Sequence, residues 1–269
     1  MHIKRILTAL IGTPIVFLFF FKANYDLFAM LVLLVSLISL YEYFKITLNK
    51  ERSNLHSIVV LSSFVTTSAI VYGAYTSSFD IIIFALVFNL IGAGSLSLFE
   101  LKTNPEMNRT VAIHVQASIY IPLFLSFLIF IRGEELGVSF IILLFLLVGM
   151  GDTGAYYIGK IFGKRKLIPW VSPNKTVEGF VGGLIFSIGT GCVYKYYVLE
   201  GINWIPAISY FVTVAIFAPL GDLFESSLKR AGDIKDSGNI LPGHGGMLDR
   251  IDALLFAIPV TYFFMKYIF

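Results

Sequence analysis

The chain has 269 residues, of which 57% are hydrophobic and only 14% charged, with a formal net charge of +3. A soluble domain carries about 25% charged residues, so this composition excludes a water-covered surface and predicts an integral membrane protein. The small net charge gives no footing for nucleic acid, and the lone Cys192 excludes both an internal disulfide and a cysteine-cluster metal site.

Apolar runs fall near 6–21, 25–46, 55–75, 79–99, 110–131, 136–161, 177–199, 204–226 and 250–268. A spanning helix needs ~20 apolar residues. Nine spans would therefore use about 180 residues and leave roughly 90 for all loops. Stretches such as Phe140–Val148 are continuously apolar rather than alternating, which argues against transmembrane β-strands. The expectation is an all-α, polytopic helical membrane bundle of nine spans. The run after Lys4 and Arg5 lacks an A-x-A-like cleavage site and reads as a retained first span.

Lys and Arg placement sets the orientation. With the N-terminus in the cytoplasm, the inner segments collect Lys4, Arg5, Lys45, Lys50, Arg52, Lys102, Arg109, Lys160, Lys164, Arg165, Lys166, Lys175, Lys229, Arg230, Lys235 and Arg250. Lys22, Arg132, Lys195 and Lys266 are left outside. By character the chain divides into N-terminal spans (1–100), a linking span (101–135) and a C-terminal region (136–269) that holds the glycine-rich spans, the acids at membrane depth and the most polar loops.

The stretch Ser226–Asp252 concentrates four basic residues, four aspartates, His244 and five glycines in one cytoplasmic loop. Glycines let backbone approach phosphate oxygens, and Lys and Arg supply the opposing charge. The surplus of aspartate suits a hard divalent cation held by one or two carboxylates plus substrate phosphates. Asp222, Ser226 and Lys229, at i, i+4 and i+7, share one face of a continuing helix. Pro219, just before, is expected to break the local ladder. Asp249 and Asp252 form an i, i+3 pair at the start of the last span.

A second cluster begins at Asp152, an acid at membrane depth framed by small residues, and continues to Ser172-Pro173-Asn174-Lys175-Thr176. Ser-Pro-Asn is expected to turn, Thr176 to cap the next span, and Lys175 to sit at its positive end, where anions are favoured. Lys164–Lys166 read as ordinary inner-face charge. Gly179 and Gly183, with small residues at 151, 155 and 159, read as helix packing, and His114, Gln116 and Asn89 as interhelical hydrogen-bond partners. The chain has no P-loop, no G-x-S-x-G, no H-E-x-x-H and no D-x-x-D-G-x-x-A-R.

From Ser227-Leu-Lys-Arg through Lys235-Asp236, Gly238, Leu241-Pro242, His244-Gly-Gly-Met247 to Asp249-Arg-Ile-Asp252, the sequence resembles the signature of the phosphatidate cytidylyltransferases. Asp152-Thr-Gly-Ala-Tyr and Ser172-Pro-Asn-Lys-Thr-Val-Glu-Gly179 look like two further motifs of that family, in order. The resemblance implies transfer of a cytidylyl group from CTP to phosphatidic acid, giving CDP-diacylglycerol and pyrophosphate, with Mg²⁺ or another divalent cation. It implies Asp222 and Asp249 as metal carboxylates, Asp152 and Asp252 as additional ligands or orienters, and Lys175, Lys229, Arg230, Lys235 and Arg250 as phosphate binders. His244, Gly245 and Gly246 would shape the nucleotide-phosphate loop, with Ser227, Asp236 and Asn174 also lining the substrate site. Expected partners are CTP, phosphatidic acid and the bilayer of the cell inner membrane; a homodimer is left open. The competing readings are another CTP-using membrane enzyme, such as a polyprenol kinase, and a transporter using Asp152 and Asp222 as coupling-ion residues. The transporter would need paired broken helices in two related halves, whereas the polar features lie in one half only.

Overall fold

The computed structural model describes residues 23–48, 54–100, 107–234, 237–238 and 245–269. In chain order these form α1 (Tyr25–Thr47), α2 (Asn54–Tyr75), α3 (Phe79–Glu100), α4 (Met107–Ser118), a π-turn (Ile119–Leu123), α5 (Phe124–Gly133) and α6 (Gly137–Phe162). A hairpin of β1 (Lys166–Ile168) and β2 (Ser172–Thr176) follows, then α7 (Val177–Val198), α8 (Trp204–Ala231) and α9 (Leu248–Tyr267). Eight of the apolar runs are thus helical, and the expected first span, 6–21, lies outside the described residues. Among the described residues six helical stretches are long and apolar enough to cross a membrane: Tyr25–Thr47, Phe79–Leu98, Asn108–Gly133, Gly137–Phe162, Val177–Val198 and Trp204–Ala231. The chain is a multi-pass helical membrane protein.

It forms two compact units, one of Met1–Phe130 with Ala231–Arg250 and the other of Ile131–Arg230 with Ile251–Phe269. The first unit has a polar seam within its helices. Tyr43 on α1 donates to Gln116 on α4 at 2.5 Å, Ser63 on α2 and His114 on α4 are 3.0 Å apart, and Asn89 on α3 donates to Ser118 at 2.5 Å. These side chains are interhelical partners, as expected. In an apolar medium a hydrogen bond between helices supplies direction that hydrophobic contact cannot. Pro122, which lacks an N–H, sits in the π-turn between α4 and α5. The wider turn absorbs the ladder bond that proline cannot make.

The second unit is organised by the crossing of α6 and α7. A Cβ built at Gly183 would lie 2.9 Å from the Gly151 carbonyl oxygen, and one at Gly179 would lie 2.8 Å from that of Ala155. The helices therefore touch backbone to backbone, and the small residues are there to allow it. Thr176 caps α7 by accepting from the Gly179 amide at 3.1 Å. One expectation is corrected. Ser172-Pro173-Asn174 belongs to strand β2, and the turn is made earlier, at Pro169–Val171. The antiparallel pairing of Lys166 with Thr176 and of Ile168 with Ser172 holds that segment extended. Pro219 forfeits one ladder bond as expected, and α8 nevertheless runs unbroken through it to Ala231, because losing one bond does not end a helix whose remaining turns are intact.

Candidate active site

Helices α6, α8 and α9 bring together three aspartates of the second unit. Asp152, on α6, lies within electrostatic reach of Asp222 and Lys175. Asp252, on the second turn of α9, lies within reach of Asp222, Lys229 and Asp152. Three carboxylates from three helices thus share one neighbourhood. Lys175, the residue before the α7 cap, donates from Nζ to Asp222 Oδ2 at 2.5 Å. Both side chains keep about a third of their surface open, at 28% and 32%, so the pair is reachable from solvent. Ser226 donates to the other Asp222 oxygen at 3.3 Å, which confirms that the i, i+4 face of α8 persists past Pro219.

The hairpin is fixed to this neighbourhood by polar contacts rather than by a core. The Glu178 carboxylate accepts from the backbone amides of Lys164 at 2.9 Å and Arg165 at 3.2 Å. Arg230, at the end of α8, donates from Nε to the Val171 carbonyl at 3.2 Å. Asn174 is exposed on β2, and Ser227 donates to the Phe224 carbonyl at 2.7 Å within α8. Lys229, which shares a face of α8 with Asp222 as expected, forms an ion pair with Glu225. Glu225 is fully buried. Its acid–base spacing of i, i+4 with Lys229 was visible in the sequence.

In the first unit, Asp249 lies at the first turn of α9. Its Oδ2 accepts from the Ser237 amide at 3.1 Å, the Ser237 hydroxyl at 2.9 Å and the Gly246 amide at 2.9 Å. Gly245 has a φ of +82°, and a Cβ there would lie 2.8 Å from Asp249 Oδ2. Backbone closing onto a carboxylate in this way requires glycine on both counts. Arg250 is exposed. Lys235, Asp236 and His244 lie outside the described residues.

The donor set suits a hard divalent cation. It offers carboxylate oxygens in surplus over the cation in contact with them, Lys175, and no soft ligand. Among the described residues no group of three or more His, Cys, Asp or Glu is drawn together closely enough to hold a metal ion alone. A hard divalent cation on one or two of these carboxylates would need substrate phosphates to complete its shell. Chemically, the second unit offers a partly open, acid-rich neighbourhood with a lysine at a helix start, suited to metal-bound polyphosphate.

Comparison with known proteins gives this geometry a context. The profile of the Cytidylyltransferase family matches residues 3–268, nearly the whole chain. The chain belongs to that family. Over 269 residues, and 97% of each chain, it is 35% identical to the phosphatidate cytidylyltransferase of Bacillus subtilis (strain 168). It is 45% identical over 136 residues to the protein of that name in Staphylococcus haemolyticus (strain JCSC1435), covering 51% of this chain and 52% of that one. The corresponding Staphylococcus aureus (strain COL) protein is also 45% identical, over 137 residues and the same shares. The cytidylyltransferase motifs read from the sequence all fall within the matched span.

Proposed function

We infer that the chain is a phosphatidate cytidylyltransferase, making CDP-diacylglycerol and pyrophosphate from CTP and phosphatidic acid. The observation that carries this reading is the three-helix carboxylate neighbourhood with Lys175 on Asp222, in a chain whose family match runs from end to end. In the reaction an oxygen of the phosphatidate phosphate attacks the α-phosphorus of CTP. A new P–O bond forms, the bond from the α-phosphorus to the bridging oxygen breaks, and that oxygen leaves with its electron pair as pyrophosphate. A phosphomonoester has its second pKa at about 6, so the attacking group is already ionised and needs no strong base. The protein's work is positioning and charge stabilisation.

We assign Asp222, with Asp152 and Asp252 as further ligands or orienters, and, in the first unit, Asp249 as carboxylates that would bind Mg²⁺. Mg²⁺ bound there would neutralise phosphate charge on the nucleotide. Lys175, the residue before the α7 cap, would exchange its contact with Asp222 for one with a phosphate when metal and nucleotide are bound. Lys229, Arg230, Lys235 and Arg250 would supply further cationic contacts, with His244 and the glycines around it shaping the phosphate loop. The excess of Lys and Arg on one set of loops supports a reading in which the N-terminus and the site face the cytoplasm at the plasma membrane. CTP would reach the site from water and phosphatidate from the inner leaflet.

The test is incubation of purified protein with phosphatidate, Mg²⁺ and CTP labelled at the α-phosphorus. Label entering lipid together with released pyrophosphate is the expected result. Release of CDP with the label still on the nucleotide would instead identify a γ-phosphoryl kinase.

A further inference from the structure

We propose that Glu42, on α1, is a positioning residue for Asp249, holding the segment that presents that carboxylate; this rests on the cytidylyltransferase reading given above. Glu42 lies in the apolar run of α1 and is only 1% exposed. An acid buried in a spanning helix is costly and calls for specific partners. Its Oε2 accepts from the Leu248 backbone amide at 2.8 Å and from the Ser237 hydroxyl at 3.2 Å. Both partners lie roughly two hundred residues away in sequence.

Each contact has a mechanical consequence for Asp249. Leu248 is the first residue of α9, so its amide is one of the donors that a helix leaves unsatisfied at its N-terminus. Glu42 fills the capping role from a different helix and adds a negative charge where the helix dipole favours one. That fixes where α9 begins, one residue before Asp249. Ser237 lies between the two carboxylates, 3.2 Å from Glu42 and 2.9 Å from Asp249. Its single hydroxyl proton can be given to only one of them at a time, while its backbone amide donates to Asp249 throughout. A Cβ at Gly238 or at Gly246 would run into the Glu42 carboxylate. Two of the glycines in the polar loop are therefore accounted for by close approach to a carboxylate of the chain itself. Glu42, Ser237, Gly246 and Asp249 form one connected unit in which removing the first loosens the last.

The other Glu42 oxygen, Oε1, has no hydrogen-bond partner among the described residues. The role just described therefore asks for one acceptor oxygen of the right reach, which an amide also provides. The test uses the purified full chain and the variants Glu42→Gln, Glu42→Leu and Ser237→Ala, with two readouts. The first is the Mg²⁺ concentration giving half-maximal activity at saturating CTP and phosphatidate. The second is hydrogen–deuterium exchange of the peptide covering residues 237–250, measured without substrate or metal.

Loss of a group that orients a metal ligand typically weakens metal binding about 10- to 100-fold. Glu42→Leu should therefore raise the half-maximal Mg²⁺ at least about tenfold and speed exchange in 237–250, with turnover largely recovered at high Mg²⁺. Glu42→Gln should stay close to wild type in both. If Glu42→Leu does not yield folded protein, Ser237→Ala decides: a raised Mg²⁺ requirement supports the proposal and an unchanged one overturns it. Turnover that falls while the Mg²⁺ midpoint stays fixed, or exchange in 237–250 unaltered by Glu42→Leu, also overturns it. Wild-type protein that moves no label from CTP to lipid would overturn the enzymatic reading, leaving the exchange experiment to judge the link between Glu42 and the loop.

Discussion

Replacing Gly183 with alanine tests the α6–α7 crossing that places Asp152 beside Lys175 and Asp222. The added methyl would lie 2.9 Å from the Gly151 carbonyl oxygen and 3.3 Å from the Ala155 Cβ. Ordinary van der Waals contact begins near 3.4 Å, so the two backbones must part by about 0.5 Å. Overpacking of this kind costs about 1–3 kcal/mol. Alanine also gains up to ~1 kcal/mol over glycine in helix propensity, which would blur a comparison with wild type alone. Gly189 on the same helix supplies the control, since a Cβ there meets nothing within 4 Å. Gly183→Ala and Gly189→Ala share the propensity gain, and their difference isolates the crossing. For a chain of this size 1 kcal/mol corresponds to roughly 2–4 °C, so Gly183→Ala should melt roughly 2–12 °C below Gly189→Ala in detergent. Transfer of label from CTP to lipid should fall with Gly183→Ala, because Asp152 is one residue from the contact, and stay wild-type-like with Gly189→Ala. Equal melting temperatures would refute the backbone-to-backbone crossing.

Asp222→Asn and Asp249→Asn keep shape but forfeit the charge proposed to hold a metal ion. Each should lower turnover by about two orders of magnitude or more, given that a metal contributes several kcal/mol at about 1.4 kcal/mol per tenfold, in protein that elutes and melts like wild type; a wild-type rate for either would remove it from the metal site. Thr176→Ala should destabilise by about 0.5–2 kcal/mol through loss of the α7 cap, seen as a lower melting temperature that Thr176→Ser restores. In a Cys192→Ser background, single cysteines replacing Trp170 and Gly201 should be modified from opposite sides of oriented vesicles, Trp170 from the cytoplasm; labelling of both from one side would mean that α7 does not span.

Composition alone determined that the chain lives in a membrane, because no arrangement of so few charges covers a soluble surface. Continuous apolar runs gave the positions of the described helices to within a few residues, since crossing hydrocarbon obliges every backbone group to bond within its own segment. The motifs pointed to the family for a similar reason: phosphate and metal chemistry restricts which residues can stand at which spacing. What the sequence left open was pairing. Spacing along α8 grouped Lys229 with Asp222, yet Lys229 goes to Glu225 and it is Lys175, forty-seven residues earlier, that reaches Asp222. Helical periodicity ranks neighbours on one helix and is blind to a neighbour on another. Ser172-Pro-Asn read as a turn by its residue types, but pairing with β1 draws it out as a strand. Glu42 was visible as an acid within an apolar run, and nothing local marks its partners at Ser237 and Leu248. Contacts at that separation are chosen by how the helices pack, and that choice is made only in three dimensions.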